Sequence, residues 1–410
     1  MASQALFLGR QPILDRDRKL VAYELLFRTG LGNWADVTDD LMASVTVIAH
    51  AFTEFGVEKA LGPHKGFINA DESLLMSDLI ALLPRDKVVL ELLETMEYSP
   101  RVFELCQHLK DRGFQLALDD FSQITGQLEA FLDLVDVVKV DIPLLSQEAL
   151  ARLAKALGAR KRLTLLAEKV DSLEQFEFCK SLGFHLFQGY FFARPHIIAG
   201  KRMAQSELAL LKLLGQVMSD EADAMIENTL KQYPAVSLNL LRLANSAAFG
   251  TQHTIRSIRS AIQLLGRHQM RRWLQVLLYT NQNAEVAPGH NPLLVLAATR
   301  GKLMETLALK GGDGIIVENA FMTGIFSLLD VLFSVPMKDI LETMPLDPAV
   351  VEALQERRGE LGKLLDLVVS LEQGTGNGLG NCLKTCAFLS LEDVNNAQIQ
   401  ALEWANSIEG

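Results

Sequence analysis

A chain of 410 residues is too long for one ordinary core, so two domains are expected. With 49% hydrophobic and 22% charged residues it is not a disordered chain, and a net charge of −11 excludes an extended basic face for nucleic acid. Four cysteines make no disulfide framework, no run of 18 uncharged apolar residues occurs, and the N-terminus lacks a basic stretch followed by an apolar one. A soluble, cytoplasmic protein with no membrane or nucleic-acid partner is therefore expected.

From residue 6 to about 195, short β-branched runs alternate with amphipathic ones. The strand candidates are 6–14, 20–27, 66–69, 88–92, 115–118, 135–140, 163–167 and 186–191. Between most of them lie stretches such as 100–112 and 147–157, with apolar residues three and four apart. This alternation predicts repeated β/α units and a mainly parallel sheet, and eight strands suit a closed barrel better than an open sheet. The first two candidates are separated only by Asp15–Lys19 and read as a hairpin, so the barrel begins irregularly.

After Pro195 the pattern changes to helical periodicity alone: 207–218, 222–231, 236–244, 258–265, 270–279, 292–309, 320–333, 337–341 and 350–371. The expected division is a β/α barrel over 1–199 and an all-α domain over 200–410, with the junction near 196–203. The spaced glycines of 374–380 lack a following Lys-Ser/Thr and read as a flexible loop. The basic cluster Arg267, His268, Arg271 and Arg272 reads as a solvated helix face, and Cys382 and Cys386 as two thiols on a helix.

In a β/α barrel the functional groups lie where strands end and loops begin. Glu24 lies in the second strand candidate, Asn69 ends the third, and Glu91 with Glu94 ends the fourth. Asp119 and Asp120 follow the fifth, Lys139 and Asp141 close the sixth, Glu168 caps the seventh, and Gln188 lies in the eighth. Any one polar strand end is unremarkable, because strand ends meet water. The whole set is harder to dismiss, since it consists of metal-ligating and water-orienting side chains.

Glu24, Asn69, Glu91, Asp119 and Asp120 offer oxygen only, which suits Mg²⁺ or Mn²⁺ and disfavours zinc. Adjacent carboxylates repel unless cations neutralise them, so Asp119–Asp120 is a natural bridging element. Two such ions can clamp a phosphodiester and activate a water, with Lys139 orienting that water or stabilising developing charge.

On these residues the N-terminal half resembles the EAL family of cyclic-di-GMP phosphodiesterases, over roughly residues 6–195. The matching segments are Gln11-Pro12-Ile13, Tyr23-Glu24-Leu25-Leu26-Phe27-Arg28, Phe67-Ile68-Asn69 and Glu91-Leu92-Leu93-Glu94. They continue with Leu118-Asp119-Asp120-Phe121, Val138-Lys139-Val140-Asp141, Leu166-Ala167-Glu168, Phe187-Gln188-Gly189-Tyr190 and Arg194-Pro195. The resemblance implies that Glu24, Asn69, Glu91 and Asp119 are metal ligands and that Asp120 serves a second metal. It implies a catalytic set of Lys139, Glu168, Asp120 and Glu24. Gln11, Leu26, Arg28, Asp141 and Gln188 are the implied substrate contacts, with the Arg28 guanidinium gripping phosphate. Glu94 corresponds to the family's loop-anchoring glutamate.

The chain also departs from the family pattern. The loop after the fifth strand reads Ser122-Gln123-Ile124-Thr125-Gly126-Gln127 in place of Gly-Thr-Gly-Tyr-Ser-Ser. The family's Thr before the anchoring glutamate is Leu93, its Ala-Glu-Gly is Ala167-Glu168-Lys169, and Glu-Ala-Leu is Glu24-Leu25-Leu26. In the family that loop helps assemble the metal site and the dimer interface, so a homodimer is an open expectation.

The C-terminal half resembles the HDOD domain, a helical relative of the HD metal phosphohydrolases that lacks their metal site. The resemblance rests on Pro234-Ala235-Val236, Leu241-Arg242-Leu243-Ala244-Asn245-Ser246, Ile255-Arg256-Ser257-Ile258 and Ala261-Ile262-Gln263-Leu264-Leu265-Gly266. It implies a non-catalytic regulatory half with a protein partner. Two functions stay open: hydrolysis of cyclic-di-GMP to linear pGpG with two Mg²⁺ or Mn²⁺ ions, or a degenerate EAL domain that acts as a cyclic-di-GMP receptor or protein-interaction module.

Overall fold

The computed structural model describes residues 6–29, 61–194, 203–246, 254–280, 290–311, 314–373 and 376–407. Eight strands close into a barrel in sequence order: β1 (Leu6–Asp15), β2 (Leu20–Thr29), β3 (Lys65–Ala70), β4 (Val88–Leu92), β5 (Gln115–Leu118), β6 (Val137–Asp141), β7 (Thr164–Glu168) and β8 (Leu186–Gln188). β1 runs antiparallel to both β2 and β8, whereas β2 through β8 pair in parallel. The barrel thus begins irregularly, as the short link between the first two strand candidates predicts.

Helices α1 (Glu72–Met76), α2 (Pro100–Asp111), α3 (Gly126–Leu132), α4 (Gln147–Gly158) and α5 (Leu173–Ser181) lie between the parallel strands. Ser99, Ser146 and Ser172 each accept a backbone N–H at the start of α2, α4 and α5, which satisfies donors that have no intrahelical partner. The eighth strand is shorter than the 186–191 run predicts. Gly189 adopts φ +145°, and a side chain there would meet the Val170 carbonyl oxygen at 2.1 Å, so only glycine lets the chain leave the barrel here.

The barrel interior holds an apolar layer of Ile13, Ala22, Phe67, Val89, Ala117, Val137 and Leu166, with Leu186 packed against it. A larger apolar layer lies between strands and helices, from Leu14 and Leu25 through Leu90, Val138 and Leu165 to Phe187. Successive residues of a strand face opposite sides, so every strand feeds both layers.

The C-terminal half is helical: α6 (Gln205–Met218), α7 (Asp223–Lys231), α8 (Pro234–Ala244), α9 (Ile258–Thr280), α10 (Pro292–Ala308), α11 (Gly314–Phe326), α12 (Leu329–Phe333), α13 (Met337–Leu341), α14 (Pro348–Glu356), α15 (Gly359–Gln373), α16 (Gly376–Thr385) and α17 (Leu391–Ser407). Gly266, at φ +67°, breaks α9 where the sequence separates 258–265 from 270–279. The expected 350–371 helix is two helices, because Arg357 and Gly359 take left-handed backbone. Residues 376–380, read from their glycines as loop, begin α16 instead.

One further reading changes. Arg267, Arg271 and Arg272 are not merely solvated, since they pair with Asp223, Glu318 and Glu305. The expected junction at 196–203 lies almost wholly outside the described residues.

The two halves share packing. Val295 and Ala298 of α10 and Leu402 and Ala405 of α17 are buried in the same apolar layer as the outer barrel residues. Arg10 of β1 donates from Nη1 to Asn406 Oδ1 at 3.2 Å, and its guanidinium lies 4.2 Å from the centre of the Tyr23 ring. No helix among the described residues is long and apolar enough to cross a membrane.

Candidate functional site

The apolar floor of the barrel positions the polar ring. Two residues beyond Ala22, Phe67, Val89, Ala117, Val137, Leu166 and Leu186 come Glu24, Asn69, Glu91, Asp119, Lys139, Glu168 and Gln188. A two-residue step returns the side chain to the same face, so each strand places its polar group one layer above its apolar one. On the antiparallel β1 the step runs the other way, from Ile13 back to Gln11. Register fixes the neighbours: Gln11 pairs with Glu24, Asn69 with Glu91, and Asp141 with Glu168.

Lys139 stands at the centre. Its fully buried ammonium lies 2.7 Å from Glu91 Oε1, 2.8 Å from Asp119 Oδ1, 2.9 Å from Glu168 Oε1 and 3.7 Å from Glu24 Oε1. Gln188 donates from Nε2 to Glu24 Oε2 and, at 2.8 Å, to Gln11 Oε1. One ammonium facing four carboxylates leaves excess negative charge in a dry place. Burial pushes the Glu91 carboxyl well up, against the pull of Lys139 and with repulsion from Glu24, Asp119 and Glu168. Burial likewise pushes Glu168 up to about 8, offset in part by Lys139. Lys139 is held well above its usual range because the four carboxylates outweigh its own burial.

The donor set fits a hard divalent cation. Asn69 Oδ1, Glu91 Oε2, Glu168 Oε2 and Gln188 Oε1 are buried without a hydrogen-bond partner, and all are oxygens. At the rim, carboxylate oxygens of Glu94, Asp119 and Asp120 lie within 4.8 Å of one another, so Glu94 joins the pair expected to bridge cations. Asp120 reaches this position through left-handed backbone, φ +43°.

Leu26 lies half-buried on the ring side of β2, two residues beyond Glu24. Arg28 continues the same alternation, although its side chain lies outside the described residues. Residues 122–127, where the family loop is rewritten, are exposed.

Two residues enter that the sequence does not single out. The Tyr98 hydroxyl lies 3.2 Å from the carbonyls of Leu92 and Leu93, bracing the turn after β4, and burial with the Asp119 charge raises its pKa. Lys169 bonds Asp141 and lies 3.6 Å from Asp120 Oδ1. The sequence signals Lys169 only as a departure from a family glycine, and gives no signal for Tyr98.

The family model of the EAL domain matches residues 2–195, and that of the HDOD domain matches residues 208–342. The chain is 32% identical over 407 residues to Cyclic di-GMP phosphodiesterase CdgJ of Vibrio cholerae serotype O1, covering 98% of this chain and 93% of that one. It is 29% identical over 407 residues to Uncharacterized protein YuxH of Bacillus subtilis, covering 98% of each. Among solved structures, the PaMucR phosphodiesterase in complex with c-di-GMP superposes with a TM-score of 0.41 at 20% identity, covering 47% of this chain and 96% of that one. The two matched domains and the near full-length likeness to CdgJ together show that the chain belongs to the EAL-domain cyclic-di-GMP phosphodiesterase family, in the form joined to an HDOD domain.

Proposed function

We propose that the strand-end ring binds cyclic-di-GMP together with divalent cations, Mg²⁺ or Mn²⁺, and hydrolyses it to linear pGpG. The observation that carries this reading is the set of buried oxygens left without partners on Asn69, Glu91, Glu168 and Gln188, around carboxylates that one lysine cannot neutralise. Keeping such a set uncompensated is costly, and a bound cation removes the cost.

Glu24, Asn69, Glu91 and Asp119 would hold a first ion, and Asp120 with Asp119 and Glu94 would form the rim. A divalent ion held by these residues would supply Lewis-acid chemistry, making a water more acidic and offsetting charge on the phosphate oxygens. Water attacks phosphorus, one ring P–O bond breaks, and the opened dinucleotide carries a 5′-phosphate and a free 3′-hydroxyl. Glu168, whose Oε2 is buried in the ring without a partner, is the carboxylate that takes the proton of the attacking water. Lys139 holds Glu91, Asp119 and Glu168 in place and faces the developing negative charge. Gln188, also bonded to Gln11, fixes the Glu24 carboxylate, Leu26 and Asp141 lie on the ring side of their strands, and Arg28 would grip a ligand phosphate. The helical half would carry a protein partner, and the four free thiols fit a cytoplasmic setting.

The exposed, rewritten loop 122–127 beside Asp120 favours a second reading, in which the same site binds the dinucleotide and does not turn it over. Purified chain incubated with cyclic-di-GMP and Mn²⁺, followed for binding and for pGpG, separates the two. Hydrolysis is expected, reduced at least 100-fold in Glu24→Ala. Binding without product selects the receptor reading, and product undiminished in Glu24→Ala contradicts the proposed site.

A further inference from the structure

Lys169 sits where its own backbone resists it. It follows Glu168 at the end of β7 with φ +55°, a left-handed conformation that costs any residue with a side chain and costs glycine nothing. The family pattern has glycine here. Its stem is more than half exposed, so no burial compensates the strain.

The compensation lies at the ammonium. Nζ hydrogen-bonds Oδ2 of Asp141, whose side chain is only 4% exposed, and stands 3.6 Å from Asp120 Oδ1. Asp120 is itself left-handed, so two strained residues, one after β5 and one after β7, bring a cation against the rim carboxylates. Lys139 cannot serve this place, because its ammonium is already committed to Glu91, Asp119, Glu168 and Glu24. Asp141 also keeps Oδ1 buried and without a partner, so Lys169 is the cation that answers this carboxylate.

We propose that Lys169 is a built-in cation of the site: its ammonium stands beside Asp120 and Asp141 in place of a second divalent ion, so that the chain loads one divalent ion fewer than its carboxylates alone would take. This inference rests on the reading of the strand-end ring as a divalent-cation site. It makes Lys169 a positioning residue that sets metal stoichiometry, and it replaces an exchangeable charge of two by a covalently tethered charge of one.

The test is Mn²⁺ alone titrated into the full chain, with bound ions counted by calorimetry and by electron paramagnetic resonance. Lys169→Gly, which also relieves the left-handed strain, is expected to bind one more Mn²⁺ per chain than the parent and to show the signal of a coupled Mn²⁺ pair. Lys169→Arg keeps the charge and is expected to match the parent. Lys169→Asn, uncharged and tolerant of this backbone, repeats the glycine result if the glycine variant does not fold. Equal stoichiometry, with affinities within twofold, in the parent and both uncharged variants overturns the proposal. If those equal counts are zero, the cation reading of the ring fails with it. If they are one or more, only the role of Lys169 fails.

Discussion

Lys139 holds four carboxylates at once, and its removal is the sharpest change available at the scale of a residue. Lys139→Met leaves Glu91, fully buried, without its nearest positive charge. Breaking a buried ion pair from one side costs about 3–5 kcal/mol, so urea unfolding of the metal-free variant is expected to show a loss of that size. Mn²⁺ is expected to recover part of it, and an unchanged midpoint contradicts the ring as described. Glu168 supplies a pH dependence. Its folded pKa of about 8 lies above the ordinary 4.5, so between these values the folded state holds a proton that the unfolded state has released. The Glu168 contribution to the stability of the metal-free chain therefore falls as pH rises from about 4.5 and levels off above about 8. The thermal midpoint is expected to drop by several degrees between pH 5.5 and 8.5 and to drop less steeply in Glu168→Gln, with Glu91, also pushed up by burial, keeping a slope of the same sign. A midpoint that rises over this interval contradicts the shift. The ring itself is legible in sequence because the barrel repeats one rule: an apolar residue, then a polar one two places on. The Lys139 contacts and the meeting of Lys169 with Asp141 are not legible, since they depend on how far long side chains reach across the barrel.

At the scale of elements, the helical half is organised by close approach and one buried ion pair. Gly324 of α11 passes so near α10 that a side chain would meet the Arg300 carbonyl carbon and the Gly301 Cα at 2.6 Å. Arg300 turns away from that crossing to grip Glu372 of α15 through Nε and Nη2, at 2.9 and 2.8 Å, and gives Nη1 to Ser327 Oγ at 3.0 Å. Arg300→Met strands Glu372 and is expected to cost about 3–5 kcal/mol, whereas Arg300→Met with Glu372→Leu is expected to cost less than the single change. Chemical denaturation of the three proteins measures the coupling, and strict additivity contradicts it. Most helices here follow from apolar periodicity. What periodicity misses are the breaks at Arg357 and Gly359, where two residues of left-handed backbone split one apolar stripe, and α16, whose glycines sit inside a helix. In both places packing overrides local preference.

For the whole molecule, the packing between halves matters as much as either half. α10 and α17 bury Val295, Ala298, Leu402 and Ala405 in the outer barrel layer, and α15 and α17 approach β1, the strand that pairs with both β2 and β8. A small cavity of about 60 Å³ remains at this seam, bordered by Arg10, Tyr23, Val295 and Glu372. Tyr23 precedes Glu24, and Tyr190, two residues after Gln188, is close enough to Arg300 and Glu372 to feel their charges. Ring and helices are thus joined through the backbone of β2 and β8. Calorimetry of the full chain is expected to show one thermal transition, and residues 1–199 alone are expected to melt well below it. Two separate transitions contradict shared packing. The sequence separates barrel from helices by their periods, yet this seam is invisible in it, because apolar helix faces do not say which surface they cover.

The central claim is that the strand-end ring is a cation-assisted cyclic-di-GMP site. It is tested most directly by equilibrium binding of cyclic-di-GMP to the full chain in Mn²⁺, in EDTA, and in Glu91→Gln with Mn²⁺. Binding in Mn²⁺ that weakens at least tenfold in each of the other two is predicted. Binding indifferent to both changes, or no binding by the folded chain in Mn²⁺, would contradict it.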